Sequence, residues 1–314
     1  MELILVANLL DPRNDFVFKR IFGSEENKDV LLAFLNRTFA EAGEPPLTEI
    51  TLLNPYTDKD SPRDKQSIFD IWAKTEAGKH INIEMQLFNK YDIEKRTLYY
   101  WGKRYSSQLK ESQIYKELQK CVTINILNFS VLPNDRYHNI FHLREDHTNI
   151  PLIDDIEIHF LELAKLDDHA VPIEGGLVNW LLFLKGVDKS HWEVLTMNEP
   201  TLKKAMNTLE FLSMNEETRR QYEARQKFLH DEASMIEGAR SEGLAKGLTE
   251  GRAQGHAQGH AQGHAQGHAQ GHAEGKRQKA EEIAKNMLAL GLEAEVISKA
   301  SGLTEAEIKR LKTV

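Results

Sequence analysis

"IFDIWAKTEAGKHINIEMQLF", residues 68–88, is the stretch that decides the fold. It holds two apolar runs, each as long as a buried strand and rich in β-branched and aromatic side chains. The segment "EAG" separates the runs and places Gly78 where three-residue hairpin loops need a left-handed residue. The stretch therefore predicts an antiparallel hairpin made of strands 68–75 and 79–88.

An acid interrupts each apolar run of this hairpin. Closing the strands on the loop pairs Thr75 with Lys79, and the same register places Asp70 directly opposite Glu84. Opposed side chains on antiparallel strands have Cβ atoms about 5 Å apart, and Gln86 shares the face of Glu84. Two such carboxylates repel unless a cation lies between them, and Mg²⁺ favours carboxylate and carbonyl oxygens. The pair predicts a metal site; the alternative is that one or both acids lie on a solvated strand face.

The rest of the first 230 residues alternates between helical and strand patterns. A helical pattern breaks near Gly23, and a later helix carries Leu98, Trp101, Tyr105 and Leu109 at helical spacing. The order α, β, β, β, α, β indicates a mixed α/β (α+β) fold. The other predicted strands cover 50–54, 121–132 and 155–166, and the predicted helices cover 11–39, 91–118, 175–187 and 191–230.

Composition and charge limit the setting. The 314 residues carry a formal charge of −8, which argues against a protein that coats nucleic acid or anionic membrane over its whole surface. Cys121 is the single cysteine, so it forms no internal disulfide, and we expect it to be buried among apolar residues. The N-terminal "MELILVANLL" lacks the features of a secretion signal, and no run of about 20 apolar residues is present. We expect a cytoplasmic protein with no membrane partner.

The motifs of the hairpin and of its neighbours carry a family resemblance. "FDIWAK" and "INIEMQ", preceded by "NDFVFKRIFG" and followed by "KRTLYYWGKRYSSQL", resemble the PD-(D/E)XK nuclease family transposases, the Rpn family of recombination-promoting nucleases. The resemblance covers roughly residues 9–230. It implies a restriction-endonuclease-like core, in which a mixed central sheet is flanked by helices, followed here by a helical C-terminal extension.

The same resemblance implies a Mg²⁺-dependent DNA endonuclease that hydrolyses phosphodiester bonds with a metal-activated water. By implication Asp70 and Glu84 are metal ligands, and the carbonyl of Met85 is a third. Gln86 replaces the lysine that the superfamily usually has at this position. Since glutamine is neither a cation nor a base, it can only orient a water or a phosphate oxygen. A non-catalytic DNA-binding or assembly protein with the nuclease fold therefore stays open as the alternative.

A basic stretch follows the hairpin. Residues 89–120 carry eight Lys and Arg against four acids, a local excess in an acidic chain, and we expect Arg96, Lys103 and Arg104 to contact DNA. Interleaved aromatics such as Trp101 and Tyr105 either stack on bases or pack the helix onto the sheet. Two secondary candidates lie in the first helix. Asp15 and Lys19 belong to the site, or form an ordinary ion pair at four-residue spacing.

A repeat begins after the predicted nuclease domain (1–235). Glycine recurs every four residues from Gly243 to Gly275, and five Gly-His-Ala copies place histidines at four-residue spacing from His256 to His272. Each glycine costs a helix about 1 kcal/mol, so residues 236–275 are predicted to be a helical or disordered spacer. The histidines are either metal ligands, as a metal-responsive protein would need, or the product of a repeat that expanded in a polar spacer.

The tail, residues 276–314, has the pattern of a helix-turn-helix. Gly302 fits the turn, apolar Ile297 and Ile308 fit the core, and Thr304 with Glu307 forms a capping box. Glu305 and Glu307 would meet DNA phosphates unfavourably at the start of the last helix. We therefore expect a docking or self-association unit that makes the protein a homo-oligomer.

Overall fold

The computed structural model describes residues 9–53, 70–89, 92–166, 176–186 and 189–312. Its contacts separate two compact units, Met1–Ile236 and Glu237–Val314. Parts of the predicted strands, residues 54 and 68–69, and the basic Lys90 lie outside the described residues. None of the helices within these ranges combines the length and apolar character needed to cross a bilayer.

The described strands of the first unit form one six-stranded mixed sheet with the order β1-β2-β3-β4-β6-β5. The hairpin β2–β3 is antiparallel, whereas β3 pairs in parallel with β4, and β4 with β6. A helix connects β3 to β4, as a parallel pair requires. The strands are β1 (Ile50–Leu52), β2 (Ile71–Thr75), β3 (His80–Gln86), β4 (Cys121–Leu127), β5 (His138–His142) and β6 (Ile156–Glu162).

Helices cover the sheet and supply most of the remaining core. The two helices at the start are separated at Gly23 and its following turn, as predicted. Phe22, Phe34 and Trp180 meet in the centre of the largest apolar cluster, with ring centroids about 6 Å apart. The helices of the first unit are α1 (Asp15–Phe22), α2 (Lys28–Glu41), α3 (Ile93–Ser106), α4 (Leu177–Lys185), α5 (Trp192–Thr196) and α6 (Pro200–Met214).

The hairpin has the predicted register. Ile71 lies opposite Ile83, and Gly78 has the left-handed φ of 90° that its turn requires. Cys121 is buried, as expected, and this burial raises the pKa of its thiol to about 12. The mixed α/β fold predicted from the sequence is confirmed.

Three details of the prediction are wrong. α3 ends at Ser106 instead of residue 118, and its buried positions are Ile93, Thr97 and Arg104, while Leu98 is 54% exposed. The helix is amphipathic with a partly polar inner face, which apolar spacing cannot reveal. The strand predicted to reach residue 132 ends at Leu127, and β5 was not predicted at all.

The second unit contains the end of a long helix, α7 (Glu216–Ala289), followed by α8 (Ala294–Ser301) and α9 (Glu305–Leu311). Of the two alternatives for residues 236–275, helix or disorder, the structure has helix. Gly302 ends α8 in the left-handed conformation, and Thr304 and Glu307 form the predicted capping box. Ile297, Leu303 and Ile308 pack with Ala284 in a small core.

Candidate active site

Two acids meet at the end of the β2–β3 hairpin. Asp70 directly precedes β2, and its Oδ2 accepts a hydrogen bond from the backbone N–H of Met85 at 2.8 Å. Glu84 lies on β3 with only 5% of its surface exposed. The register that pairs Ile71 with Ile83 brings the two carboxyl groups to neighbouring positions, as the hairpin spacing predicts.

Burial raises the pKa values of both acids of the pair. Burial raises the pKa of Glu84 well above its ordinary value, and the nearby charge of Asp70 raises it further. Burial also raises the pKa of Asp70, although Lys19 and the Met85 amide oppose the shift. Both groups therefore gain from any additional positive charge that reaches them.

Helix α1 adds a cation and a third acid. Asn14 caps the helix by accepting from the Phe16 N–H, which fixes its first turn next to the hairpin. Lys19 Nζ lies 3.2 Å from Asp70 Oδ1. One turn earlier on this helix, the Asp15 carboxylate accepts hydrogen bonds from Nε and Nη2 of Arg225, a residue of α7. Of the two secondary candidates, Lys19 therefore pairs with Asp70, and Asp15 pairs with Arg225.

The polar side chains around Glu84 are connected to one another. Gln86 Nε2 donates to Glu84 Oε2 at 3.4 Å, and Gln86 Oε1 accepts from Arg96 Nη1 at 3.3 Å. On the other side Asn82 Nδ2 lies 3.5 Å from Glu84 Oε1. The three side chains occupy alternate positions of β3 and so share one face of the sheet. Arg96 enters this face from the first turns of α3.

One open cavity of about 160 Å³ is lined by the acids Asp15, Asp70 and Glu84 and by Gln86, Arg96 and Arg225. Its wall is formed by the hairpin, by the first turn of α1, by α3 and by the early turns of α7. Four acids and three arginines are among the lining residues, a combination suited to binding a cation and a phosphate together. The residues that supply these groups are Arg13, Asp15, Asp70, Glu84, Met85, Gln86, Arg96, Arg225 and Glu232.

A family comparison accounts for this arrangement. The family model described as PD-(D/E)XK nuclease family transposase matches residues 12–239, which is most of the chain and includes every group of the cavity. The chain belongs to this family. Comparison with curated proteins and with solved structures gave no match.

A second family model covers the tail of this PD-(D/E)XK chain. Residues 277–313 match the C-terminal HTH domain of the Rpn/YhgA-like nuclease family. The match agrees with the left-handed Gly302 between α8 and α9 and with the hydrogen bond from Ser298 Oγ to the Leu303 carbonyl. The two matches together support the Rpn resemblance in both units.

The predicted DNA-contact residues have different environments. Arg96 is half-buried at the cavity, and Lys103 is half-buried farther along α3. Arg104 is buried, with its guanidinium 3.3 Å from the ring centroid of Trp72. This position gives Arg104 a packing role, so we do not retain it among the proposed DNA contacts.

Trp101 and Tyr105 also pack against the protein. Trp101 Nε1 donates to the Cys121 carbonyl at 3.0 Å, and its ring stacks on that of Tyr105. Tyr105 in turn donates to Asp155. These contacts favour packing of the helix onto the sheet over stacking on DNA bases.

A second cluster of potential ligands lies away from the cavity. One ligand atom each of His142, Asp154 and Glu157 lies within 4.8 Å of the others. Lys120 already occupies this place, since its Nζ lies 2.9 Å from Asp154 and 2.5 Å from Glu157. The ammonium group supplies the positive charge that a metal ion would bring there.

Sequence reasoning missed Arg13, Arg225 and Glu232 of the cavity, and Asn82 beside Glu84. Arg225 is 210 residues from its partner Asp15 and lies in the charged segment "ETRRQYEARQK", where nothing distinguishes it from its neighbours. Asn82 could have been found, because it precedes Glu84 by two residues and must share its face.

Proposed function

We propose that this chain is a Mg²⁺-dependent DNA endonuclease of the recombination-promoting, transposase-like type. The observation that carries the proposal is the pair of buried Glu84 and largely buried Asp70, brought together by the hairpin register inside the segment that matches the nuclease family. A buried pair of acids with raised pKa values is costly to maintain without a function.

The donor set fits a hard divalent cation. Asp70, Glu84 and the carbonyl of Met85 would hold it, since all three offer oxygen and the first two lack full charge compensation without it. The described residues that line the cavity include no cysteine or histidine, which would favour a softer metal. When bound, Mg²⁺ lowers the pKa of an attacking water and stabilises charge on the scissile phosphate.

The chain's own groups would do the remaining work. Gln86 can orient a water or a phosphate oxygen through its amide while its oxygen stays on Arg96. Arg96, at the mouth of the cavity, would bind a phosphate of the DNA, and Lys103 would contact the backbone farther along α3. Lys19 and Arg225 would hold Asp70 and Asp15 in place.

We further propose that DNA is the partner, that the protein is cytoplasmic and that copies associate through the C-terminal helices. The last point is supported by apolar side chains that remain on the surface of the second unit. Leu290 is 78% exposed, and Val296 is 49% exposed. The first turn of α9 carries Glu305 and Glu307, which disfavours insertion of that turn between DNA phosphates.

A non-catalytic DNA-binding protein is the second candidate. The observation that favours it is Gln86, whose amide is already bonded to Glu84 and Arg96 and which cannot act as a base. The two candidates differ in what happens to the phosphodiester bond, and they share the fold and the affinity for DNA.

One experiment separates them. The purified full chain is incubated with supercoiled plasmid in Mg²⁺, in chelator, and in chelator with Mg²⁺ restored. An endonuclease nicks the plasmid in the first and third samples only, and the Asp70→Ala variant does not nick in any. Binding of plasmid without nicking under all conditions would favour the second candidate.

A further inference from the structure

The five histidines of the repeat form a stripe along α7. His256, His260, His264, His268 and His272 follow one another at four-residue spacing, and all of them are exposed. Residues four apart lie one above the other on a helix. The ring centroids of His256 and His260 are 6.5 Å apart, as are those of His260 and His264, and each pair of rings is nearly parallel.

We propose that neighbouring histidines of this stripe are two-ligand sites for borderline divalent cations of the Zn²⁺, Ni²⁺ and Cu²⁺ class. Imidazole nitrogen is a preferred ligand of these ions, and two histidines at i and i+4 of a helix can bind one ion together. Water completes the coordination. Since five histidines contain at most two separate pairs, a chain binds up to two ions in this way.

The surroundings of the stripe favour metal binding. Between Arg252 and Glu274 the sequence has no charged side chain, so no ammonium or guanidinium group competes for the imidazoles. This is the opposite of the His142 cluster, where Lys120 lies among the acids. No carboxylate is interleaved either, so the stripe selects against Mg²⁺, which favours oxygen ligands. The cavity of the nuclease unit and the stripe would therefore bind different metals.

Metal binding at the stripe is coupled to the helix. The repeat places a glycine before every histidine, and each glycine costs the helix about 1 kcal/mol relative to alanine. Residues 251–275 are exposed on all faces, so no burial within the described residues of this segment offsets that cost. Because a bound ion needs both imidazoles at helical spacing, it stabilises the helical form of the segment. Metal binding at the stripe therefore makes the repeat more helical and more rigid.

The test uses a variant of the full chain with the same composition. The variant carries four substitutions: His260→Gln, Gln262→His, His268→Gln and Gln270→His. It keeps five histidines, but no two of them are three or four residues apart. Both proteins are titrated with Zn²⁺ in a calorimeter. We expect the original chain to bind up to two more ions than the variant, with an affinity at least about tenfold higher, because the variant loses the chelate arrangement.

Circular dichroism at 222 nm supplies the second readout, which does not depend on nuclease activity. Zn²⁺ should raise the helical signal of the original chain and leave that of the variant unchanged. Equal affinity and equal stoichiometry in the two proteins would overturn the proposal. So would a Zn²⁺-induced rise in mass that occurs equally in both, since the ligands would then come from different chains.

Discussion

The β2–β3 hairpin and the repeat of α7 both carry polar side chains at regular spacing, yet they depend on the rest of the chain to different degrees. Glu84 is buried, and groups from α1, α3 and the neighbouring strand set its environment. The histidines of the repeat are exposed, and their arrangement follows from helical spacing alone. Substitutions should therefore act strongly and through many partners in the hairpin, and weakly and locally in the repeat.

The largest contrast is expected for loss of a carboxylate. Asp70→Ala or Glu84→Ala should lower Mg²⁺-dependent nicking by about a thousandfold, since each removes a ligand that contributes about 4 kcal/mol to the reaction. Nicking rates on supercoiled plasmid measure the effect. The matched variant in the repeat, His264→Gln, should nick at the original rate. Equal rates for Asp70→Ala and the original chain would remove this pair from the mechanism.

A smaller effect is expected at Arg225, whose Nε and Nη2 both donate to the carboxylate of Asp15. Arg225→Ala should reduce nicking by about tenfold to a hundredfold, as is usual for groups that orient a metal site. Arg220 is the control on the same helix, because it is exposed and pairs only with Glu217 at 3.1 Å among the contacts that the structure describes. Similar rates for Arg225→Ala and Arg220→Ala would show that α7 does not support the cavity.

Arg96 and Arg104 of α3 should have different roles, one in DNA binding and the other in stability. Arg96→Ala should flatten the dependence of DNA affinity on salt by about one unit of log–log slope, the loss of one phosphate contact. Arg104→Ala should keep that slope and instead lower the free energy of unfolding by about 1 kcal/mol, because the guanidinium packs on Trp72. Fluorescence anisotropy at several salt concentrations gives the slopes. If Arg104→Ala changed the salt slope and Arg96→Ala changed only the stability, Arg104 would be the phosphate contact and Arg96 the packing residue.

The sequence allowed the hairpin to be predicted because its determinants are local. The "EAG" loop and Gly78 define the register, and the register brings Asp70 to Glu84. The role of Arg104 could not be predicted, since only the tertiary structure turns this arginine towards Trp72. Strand β5 was missed for a similar reason: "HNIFH" is short and polar at both ends and pairs with β6 alone among the described strands.

Metal-free stability should respond to pH at Glu84. Burial raises the pKa of this group in the folded state above 4.5, so the folded protein binds more protons than the unfolded chain above that pH. The free energy of unfolding should therefore fall as pH rises from about 4.5 towards the folded-state pKa. In chelator at neutral pH, Glu84→Gln should be more stable than the original chain by about 1 kcal/mol. Urea unfolding at pH 5 and pH 7.5 measures both. A variant with lower stability at pH 7.5 would contradict this account of the burial.

The smallest effect on chemistry is expected for the tail. A chain that ends at Ile236 retains every described group of the cavity and should nick at about the original rate. If the terminal helices join two copies, light scattering should give a smaller species for the truncated chain, and double-strand cutting that needs two sites should fall. Removal of one or two Gly-His-Ala-Gln units should change neither. A truncated chain with its parent's oligomeric state would place the self-association interface elsewhere.

The central claim is that Asp70 and Glu84 together hold a divalent metal ion, and Mn²⁺ binding measured by calorimetry at neutral pH tests it most directly. The original chain and Glu84→Gln share every other potential ligand, including the His142 cluster and the histidine stripe. The account predicts that the original chain binds one more Mn²⁺ per molecule than the variant. Identical stoichiometry and affinity in the two proteins would contradict it.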